Sequence, residues 1–475
     1  MRFYLFIFIF LSFLSCVVPG DKVLDNKTPS QQTDDNTTSN LTDYNNLFNH
    51  SNIHEIEIQI TQSEWDGLIS DMRVNMRTGN YRKATFVYHG INGDKKVEEI
   101  GFRTRGNTTR VIPEEPKGSF RVAHFMIKFN ETFSLTKGTT EYQTRSDRRF
   151  CNLRSLNMKW ARDDYSLVRE LYAYDLLNRA GVYAPKSGLG VLTINIAGVK
   201  KYYGVYTLIE PVNKSFLTRR YTKDNNDGNL YKCLWQDAGP ATLEKGTIND
   251  WSVGIEDWKA NYHPSYDLTT NDDTPNFNDL KDFVNNINDK TGTDFKTYIE
   301  TNFEVDRFLR WIAVNQLVGM PDDYWAMGNN YYIYFNKQKT EFIPYDYDHG
   351  LGGGWLPFDT ANANIFSWRN LKKEYGLPNN GQPLIDKILA ITEYKEKYKN
   401  YLKDFITIQN KLFVYSDYEK RFNDIKTLLT PYLKNPNGVS GVATSMTNGQ
   451  KSYFLNRTKS VATQLGLNTA DYETK

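Results

Sequence analysis

The chain reads as an α+β protein, strand-rich towards its N-terminus and helical towards its C-terminus. Two observations predict this. Between residues 53 and 129, short runs of alternating apolar and polar residues are separated by turn residues, the pattern of half-buried strands. From residue 276 onward, apolar residues recur instead at helical spacing in longer segments. A hairpin-like pair of strands, Tyr331–Phe335 and Thr340–Pro344, interrupts the helical part. At 475 residues the chain has room for two or three domain-sized units or one large elaborated domain. Lys and Arg number 58 against 56 Asp and Glu, a net charge of +2 that makes no case for a nucleic-acid partner. The 32 Tyr and 27 Phe suit a large mixed core.

The first segment, Met1–Ser15, is one Arg followed by an apolar run too short to span a bilayer, and it stops at Cys16. It resembles a bacterial lipoprotein signal over residues 1–16, with Cys16 as the lipidated first residue, although Phe13 is unusual for that pattern. The expectation is an exported lipoprotein anchored to a membrane, at the cell surface or in the periplasm. Residues 17–50 are rich in Asp, Asn, Thr, Ser and Gln and read as a flexible tether. Cys151 and Cys233 are assigned to packing, with a disulfide as the alternative.

Order begins at Ile53, where Ile56, Ile58 and Ile60 alternate with Glu55, Glu57 and Gln59. Thr61–Glu64 is a capping box for a helix reaching Met76. Tyr81–Val87 and Lys96–Arg105 are strands joined across Ile91–Asp94, whose Asn-Gly is a hairpin signal. The run Arg103–Arg110 combines Arg103 and Arg105 on one strand face with Gly106 and hydroxyls, a phosphate cradle or an ordinary turn. Pro116–Phe129 reads as a strand with Lys117 and Arg121 on its apolar face. They are candidate phosphate contacts, or they snorkel to solvent. Ser166–Ala180 is an amphipathic helix capped by Ser166 and ended by Gly181. Gly188–Ile196 and Tyr202–Ile209 form a hairpin around Ala197-Gly198, and Glu210 ends its second strand as a further candidate cofactor contact. Asn213 caps a short helix, Asn229–Trp235 is a strand, and Asn276–Asp289, Phe295–Asn302 and Val305–Leu317 are helices. Beyond residue 383 lie helical patterns at Leu384–Thr392, Tyr394–Leu412, Ser416–Leu433 and Ser452–Leu465, the third with a capping box at Ser416 and Glu419.

Chemistry concentrates in Gly319–Trp355. Adjacent carboxylates Asp322 and Asp323 are followed by Asn329 and Asn330, and the hairpin then delivers Asp346 and Asp348. Strand alternation puts Asp346 and Asp348 on one face. Such a pair suits a hard cation such as Mg²⁺, or else the stretch is simply an acidic loop. Gly352-Gly353-Gly354 is no P-loop, since no Lys-Ser/Thr follows it.

Taken in order, FRTRGNTT, PKGSFRVAHFMIKF, SLVRELYAYDLLNRAGVYAP, YYGVYTLIEPVNKSFL, GNLYKC, GMPDDY with NNYYIYF, IPYDYDHGLG and FLNRTKSVATQL resemble the CotH family of spore-coat protein kinases. The resemblance runs from about Ile53 to Leu465. It implies a divergent protein-kinase-like fold over residues 51–475: a strand-rich part (51–130), a nucleotide and catalytic part (131–375) and a helical part (376–475). It implies ATP and Mg²⁺ as cofactors and a protein substrate with Ser or Thr acceptors. Asp322 falls at the family's catalytic base, with Asp323 standing where the family has Ser and the choice between them open. Asn330 falls at a metal or phosphate contact and Asp346 at the Mg²⁺ ligand, supported by Asp348, and Lys117 and Arg121 match the basic strand. Glu170 would pair with the phosphate-facing Lys, or lie on a solvated helix face. Two other classes of function remain: a surface adhesion protein on the same fold, and a glycosidase using two of the carboxylates.

Overall fold

The computed structural model describes residues 38–353, 359–368 and 381–475. Seven strands close into a barrel: β1 (Ile53–Ile60), β2 (Arg82–His89), β3 (Lys95–Thr104), β4 (Phe125–Lys128), β5 (Ser155–Lys159), β6 (Ser187–Ile196) and β7 (Val199–Ile209). Their order around the barrel is β1-β2-β3-β4-β5-β7-β6, and β1 closes it by pairing in parallel with β6. Closure leaves no exposed edge. The period of two holds: Ile56, Ile58 and Ile60 are buried beside Phe86, Phe102, Phe125 and Leu192. The β6–β7 hairpin turns at Ala197 and Gly198, both with positive φ, as a two-residue turn matching strand twist requires.

Three expectations are corrected here. The tether read over 17–50 does not extend to 50, because Thr38–Leu47 is a helix (α1) and Tyr44, Leu47 and Phe48 join the barrel core. Burial of those three apolar side chains outweighs the polar composition around them. The strand read over Pro116–Phe129 shrinks to Phe125–Lys128. The preceding residues form a turn, where Gly118 N–H donates to the Glu115 carbonyl, and then pair with Ser440 of the C-terminal part. The strand-rich part continues past residue 130 to Ile209, through β5, which is buried along its whole length. β5 alternates Ser155, Asn157 and Lys159 with Leu156 and Met158, but over five residues only, and its polar face is buried as fully as its apolar one. Cys16 and the signal lie outside the described residues; among those described, no helix is long and apolar enough to cross a membrane.

Helix α2 (Gln62–Val74) starts as read, with Thr61 Oγ1 accepting the Glu64 N–H. Helix α3 spans Thr140–Ser146. Helix α4 (Arg169–Arg179) starts three residues later than Ser166. Leu167 takes a positive φ, and the carboxylate of Asp164, not Ser166, accepts the Arg169 N–H at 2.9 Å. Asn213 caps α5 (Lys214–Arg220). A second sheet follows, with order β12-β11-β8-β10-β9. Its strands are β8 (Asn229–Cys233), β9 (Val253–Gly254), β10 (Tyr266–Leu268), β11 (Tyr331–Phe335) and β12 (Thr340–Pro344). It packs with α6 (Asn278–Asp289), α7 (Gly292–Asn302) and α8 (Val305–Val318) around a second core.

Helices at Pro383–Ala390, Thr392–Ile406, Tyr415–Leu429 and Lys451–Gln464 complete that core. Ser416 makes no capping box; its N–H donates to the carboxylate of Glu473. Cys151 and Cys233 are both buried free thiols, so the packing assignment holds.

Candidate functional site: a lysine among three carboxylates

The ends of β3 and β5 meet the loop that leaves β12, and the charged residues of three distant segments converge there. Lys159 ends β5 with its side chain 6% exposed. Its ammonium donates to Glu170 of α4 at 3.0 Å and to Asp348 at 3.1 Å, and makes a short contact with Asp346. One ligand oxygen from each of Glu170, Asp346 and Asp348 lies within 4.8 Å of the others. Burial alone would lower the Lys159 ammonium, but Asp346, Asp348 and Glu170 hold it well above the ordinary lysine range. For Asp346, burial pushes upward, and Lys159 and Arg105 overcome it to hold the carboxyl well below its usual range. Burial wins at Glu170, whose carboxyl is raised in spite of Lys159.

Asp346 and Asp348 converge on one cation, but strand alternation is not the reason. β12 stops at Pro344, and Asp346 has φ of 59°. That left-handed residue turns the chain, and its N–H donates to the Tyr174 hydroxyl at 2.8 Å. Arg105, just beyond β3, reaches the Tyr345 hydroxyl and feels Asp346 and Glu170.

Asp322 and Asp323 have different surroundings. Asp323 is 2% exposed and caps the short helix α9 (Tyr324–Met327), accepting the Ala326 N–H at 2.8 Å and the Asn315 side-chain amide. Its oxygens are committed to holding α9 on α8. Asp322 accepts the Asn329 amide at 2.7 Å through Oδ1, and the Asn330 amide at 2.8 Å through its own backbone carbonyl. Burial pushes its carboxyl up to about 6, against the Asn329 hydrogen bond, with Asp346 and Asp348 adding to the rise. Asn329 is itself fixed, accepting the Trp235 N–H at 2.7 Å.

Three candidates do not join this site. Lys117 is exposed in the Glu115–Gly118 turn, and Arg121 pairs with Glu115 at 3.5 Å. The strand that was to aim them inward does not form there. Glu210 is fully buried at the end of β7, receiving Arg219 and Arg220 of α5 and the Lys186 N–H. It anchors a helix instead of meeting a cofactor. The lysine that Glu170 meets is therefore Lys159, not Lys117. The signal for it was present: a Lys following Leu156, Asn157 and Met158 and preceding Trp160 is as costly to bury unpaired as any cation on an apolar face.

Residues 102–460 match the family described as CotH kinase protein. The chain belongs to that family. It is 25% identical over 297 residues to inner spore coat protein H of Bacillus subtilis, covering 60% of this chain and 72% of that protein. It is 23% identical over 274 residues to invasin CotH3 of Rhizopus delemar, covering 56% of this chain and 41% of the invasin. The cluster of Lys159, Glu170, Asp346 and Asp348 lies wholly within the matched residues.

Proposed function

We propose that this CotH family protein is an exported, ATP- and Mg²⁺-dependent protein kinase with a divergent kinase-like arrangement. It transfers the γ-phosphate to Ser or Thr hydroxyls of a surface or envelope protein. The observation that carries this reading is the buried Lys159–Glu170 pair beside two aspartates. In protein kinases a strand Lys paired with a helix Glu holds the phosphates, and an Asp following the catalytic loop holds Mg²⁺. The donor set fits the metal: carboxylate oxygens are hard ligands of the kind Mg²⁺ takes alongside phosphates. Asp346 and Asp348 would hold it, and when bound it neutralises charge on the phosphates.

The chain's own residues then have separable tasks. Asp322 accepts the proton of the acceptor hydroxyl as its oxygen bonds to the γ-phosphorus and the bond to ADP breaks. Asn329 and Asn330 hold Asp322 in place for this, and Asp323 keeps the turn on α8. Lys159, held by Glu170, would bind phosphate oxygens, and Arg105 would add a second cation. At the N-terminus, Cys16 carries the lipid that tethers the enzyme; Cys16→Ala should abolish incorporation of labelled palmitate.

The test is transfer of label from [γ-³²P]ATP to the protein itself or to added protein acceptors, with wild type, Asp322→Ala and Asp346→Ala. Both variants should lose transfer, and Asp346→Ala should also weaken Mg²⁺-dependent ATP binding in calorimetry. Label transfer equal to wild type in both would refute these roles. The relative named as an invasin supports a second reading, a surface-binding protein without catalysis. Wild-type protein that neither binds Mg²⁺·ATP nor transfers label, but still binds envelope or host-surface ligands, would establish it.

A further inference from the structure

The loop from Asp346 to Gly353 carries two of the three clustered carboxylates, and its backbone is tied down at nearly every turn. The Tyr347 N–H donates to Glu170 at 3.3 Å, and the Leu351 N–H donates to the Val318 carbonyl at the end of α8 at 2.6 Å. Two of its carbonyls turn to a single group. Arg169 Nη1 donates to the Asp348 carbonyl at 3.2 Å and to the Gly353 carbonyl at 3.4 Å. Its Nη2 donates to the Asp163 carbonyl at 2.9 Å and lies 3.6 Å from the Asp164 carboxylate. The side chain is 7% exposed, so this guanidinium joins backbone from both sides of the cluster with little competition from water.

Gly353 is part of the same arrangement. A Cβ built there would stand 1.7 Å from Arg169 Nη1 and 2.0 Å from its Cζ. The guanidinium occupies the space that a side chain would take, which gives Gly353 a physical purpose other than phosphate binding.

We propose that Arg169 is a positioning residue that, seated in the notch at Gly353, holds the Asp346–Gly353 loop so that Asp348 faces Lys159 and the metal. This rests on the reading of Asp346 and Asp348 as Mg²⁺ ligands. Neighbouring residues of one helix start then divide the work: Glu170 fixes the cation, and Arg169 fixes the carboxylates' loop. Groups that orient metal ligands typically contribute about 10- to 100-fold to metal affinity.

The experiment uses the full chain with Arg169→Lys, Gly353→Ala and the double variant. Amide hydrogen exchange of residues 346–353 is measured without ligand, and ATP binding is measured by calorimetry across a Mg²⁺ titration. Each single variant should speed exchange in this loop and raise the Mg²⁺ requirement by about 10- to 100-fold, with the main thermal transition retained. The double variant should resemble the worse single one, because both substitutions remove one shared contact. Wild-type exchange and Mg²⁺ dependence in both single variants would overturn the proposal, as would additive effects in the double. Loss of the thermal transition in both single variants overturns it too, since a positioning role predicts a local change. A wild type that binds no Mg²⁺·ATP removes the kinase reading and the metal half of this inference. Loop exchange alone then decides whether Arg169 tethers the loop.

Discussion

Two charged clusters of opposite sign sit at the ends of neighbouring barrel strands, and only one of them has capacity left for a ligand. At the end of β7, Glu210 receives five hydrogen bonds of 2.7–3.0 Å, four from the guanidinium groups of Arg219 and Arg220 and one from the Lys186 N–H. Burial opposes its charge, yet Arg220 and Arg219 hold the carboxyl well below the usual range. At the end of β5 the proportion is reversed: three carboxylates share one ammonium. A single Lys has three N–H donors and cannot saturate six carboxylate oxygens. The first cluster is complete within the protein. The second keeps a negative excess around a buried ammonium, with Asp346 and Asp348 still partly open to solvent, a condition that favours a cation.

The sharpest way to break this contrast is Lys159→Met. It leaves three carboxylates without their ammonium, so phosphate transfer should fall by at least about 100-fold and stability by about 3–5 kcal/mol. Added Mg²⁺ should restore part of the thermal midpoint; if Mg²⁺ has no effect on it, the cluster is not a cation site. Glu210→Gln should cost a similar 3–5 kcal/mol in urea unfolding, but with no response to Mg²⁺ and unaltered transfer by the folded protein. Its pH behaviour has a definite sign. Because the folded Glu210 carboxyl lies below its ordinary value, its stabilisation is present above about pH 4.3, the unfolded value. It is lost as pH falls toward the folded value, so Glu210→Gln should flatten the acid limb of the stability profile.

The adjacent aspartates give smaller and separable effects. Asp322→Asn should lower transfer by about 10²- to 10⁴-fold with near-native stability. In wild type, transfer should decline as pH drops through about 6, because a protonated Asp322 cannot accept the hydroxyl proton. A wild-type rate that is flat from pH 5 to 8 would remove Asp322 as the base. Asp323→Ala should cost about 0.5–2 kcal/mol as a lost helix cap, seen as a lower thermal midpoint with little change in the pH profile.

The acidic side of the site was legible along the chain and the basic side was not. Asp322, Asn330, Asp346 and Asp348 lie within one short stretch around a hairpin whose strands follow local pattern. Lys117 and Arg121 looked equally placed, but their segment turns outward at Gly118, and the assumption of one unbroken strand failed there. Lys159 was missed because β5 is five residues long, too short for its alternation of Ser155, Asn157 and Lys159 with Leu156 and Met158 to stand out, and because a polar strand face ordinarily meets solvent whereas this one is buried. The Asp322–Asp323 ambiguity was equally beyond local pattern, since both are acidic residues at a helix start, and only the amide of Asn315 and the Ala326 N–H distinguish them.

Sequence alone therefore determined the α+β class, most of the strands and helices, the hairpin turns and the place of the carboxylates. All of these depend on periodicity and turn chemistry acting over a few residues. Only the tertiary structure decided which cation meets them. Lys159 and Asp346 are 187 positions apart, and what joins them is the closure of a barrel against a second sheet. Likewise only the fold turned Glu210 into an anchor and Arg169 into a brace, because the charge a buried group needs is set by its neighbours in space and not by those in sequence.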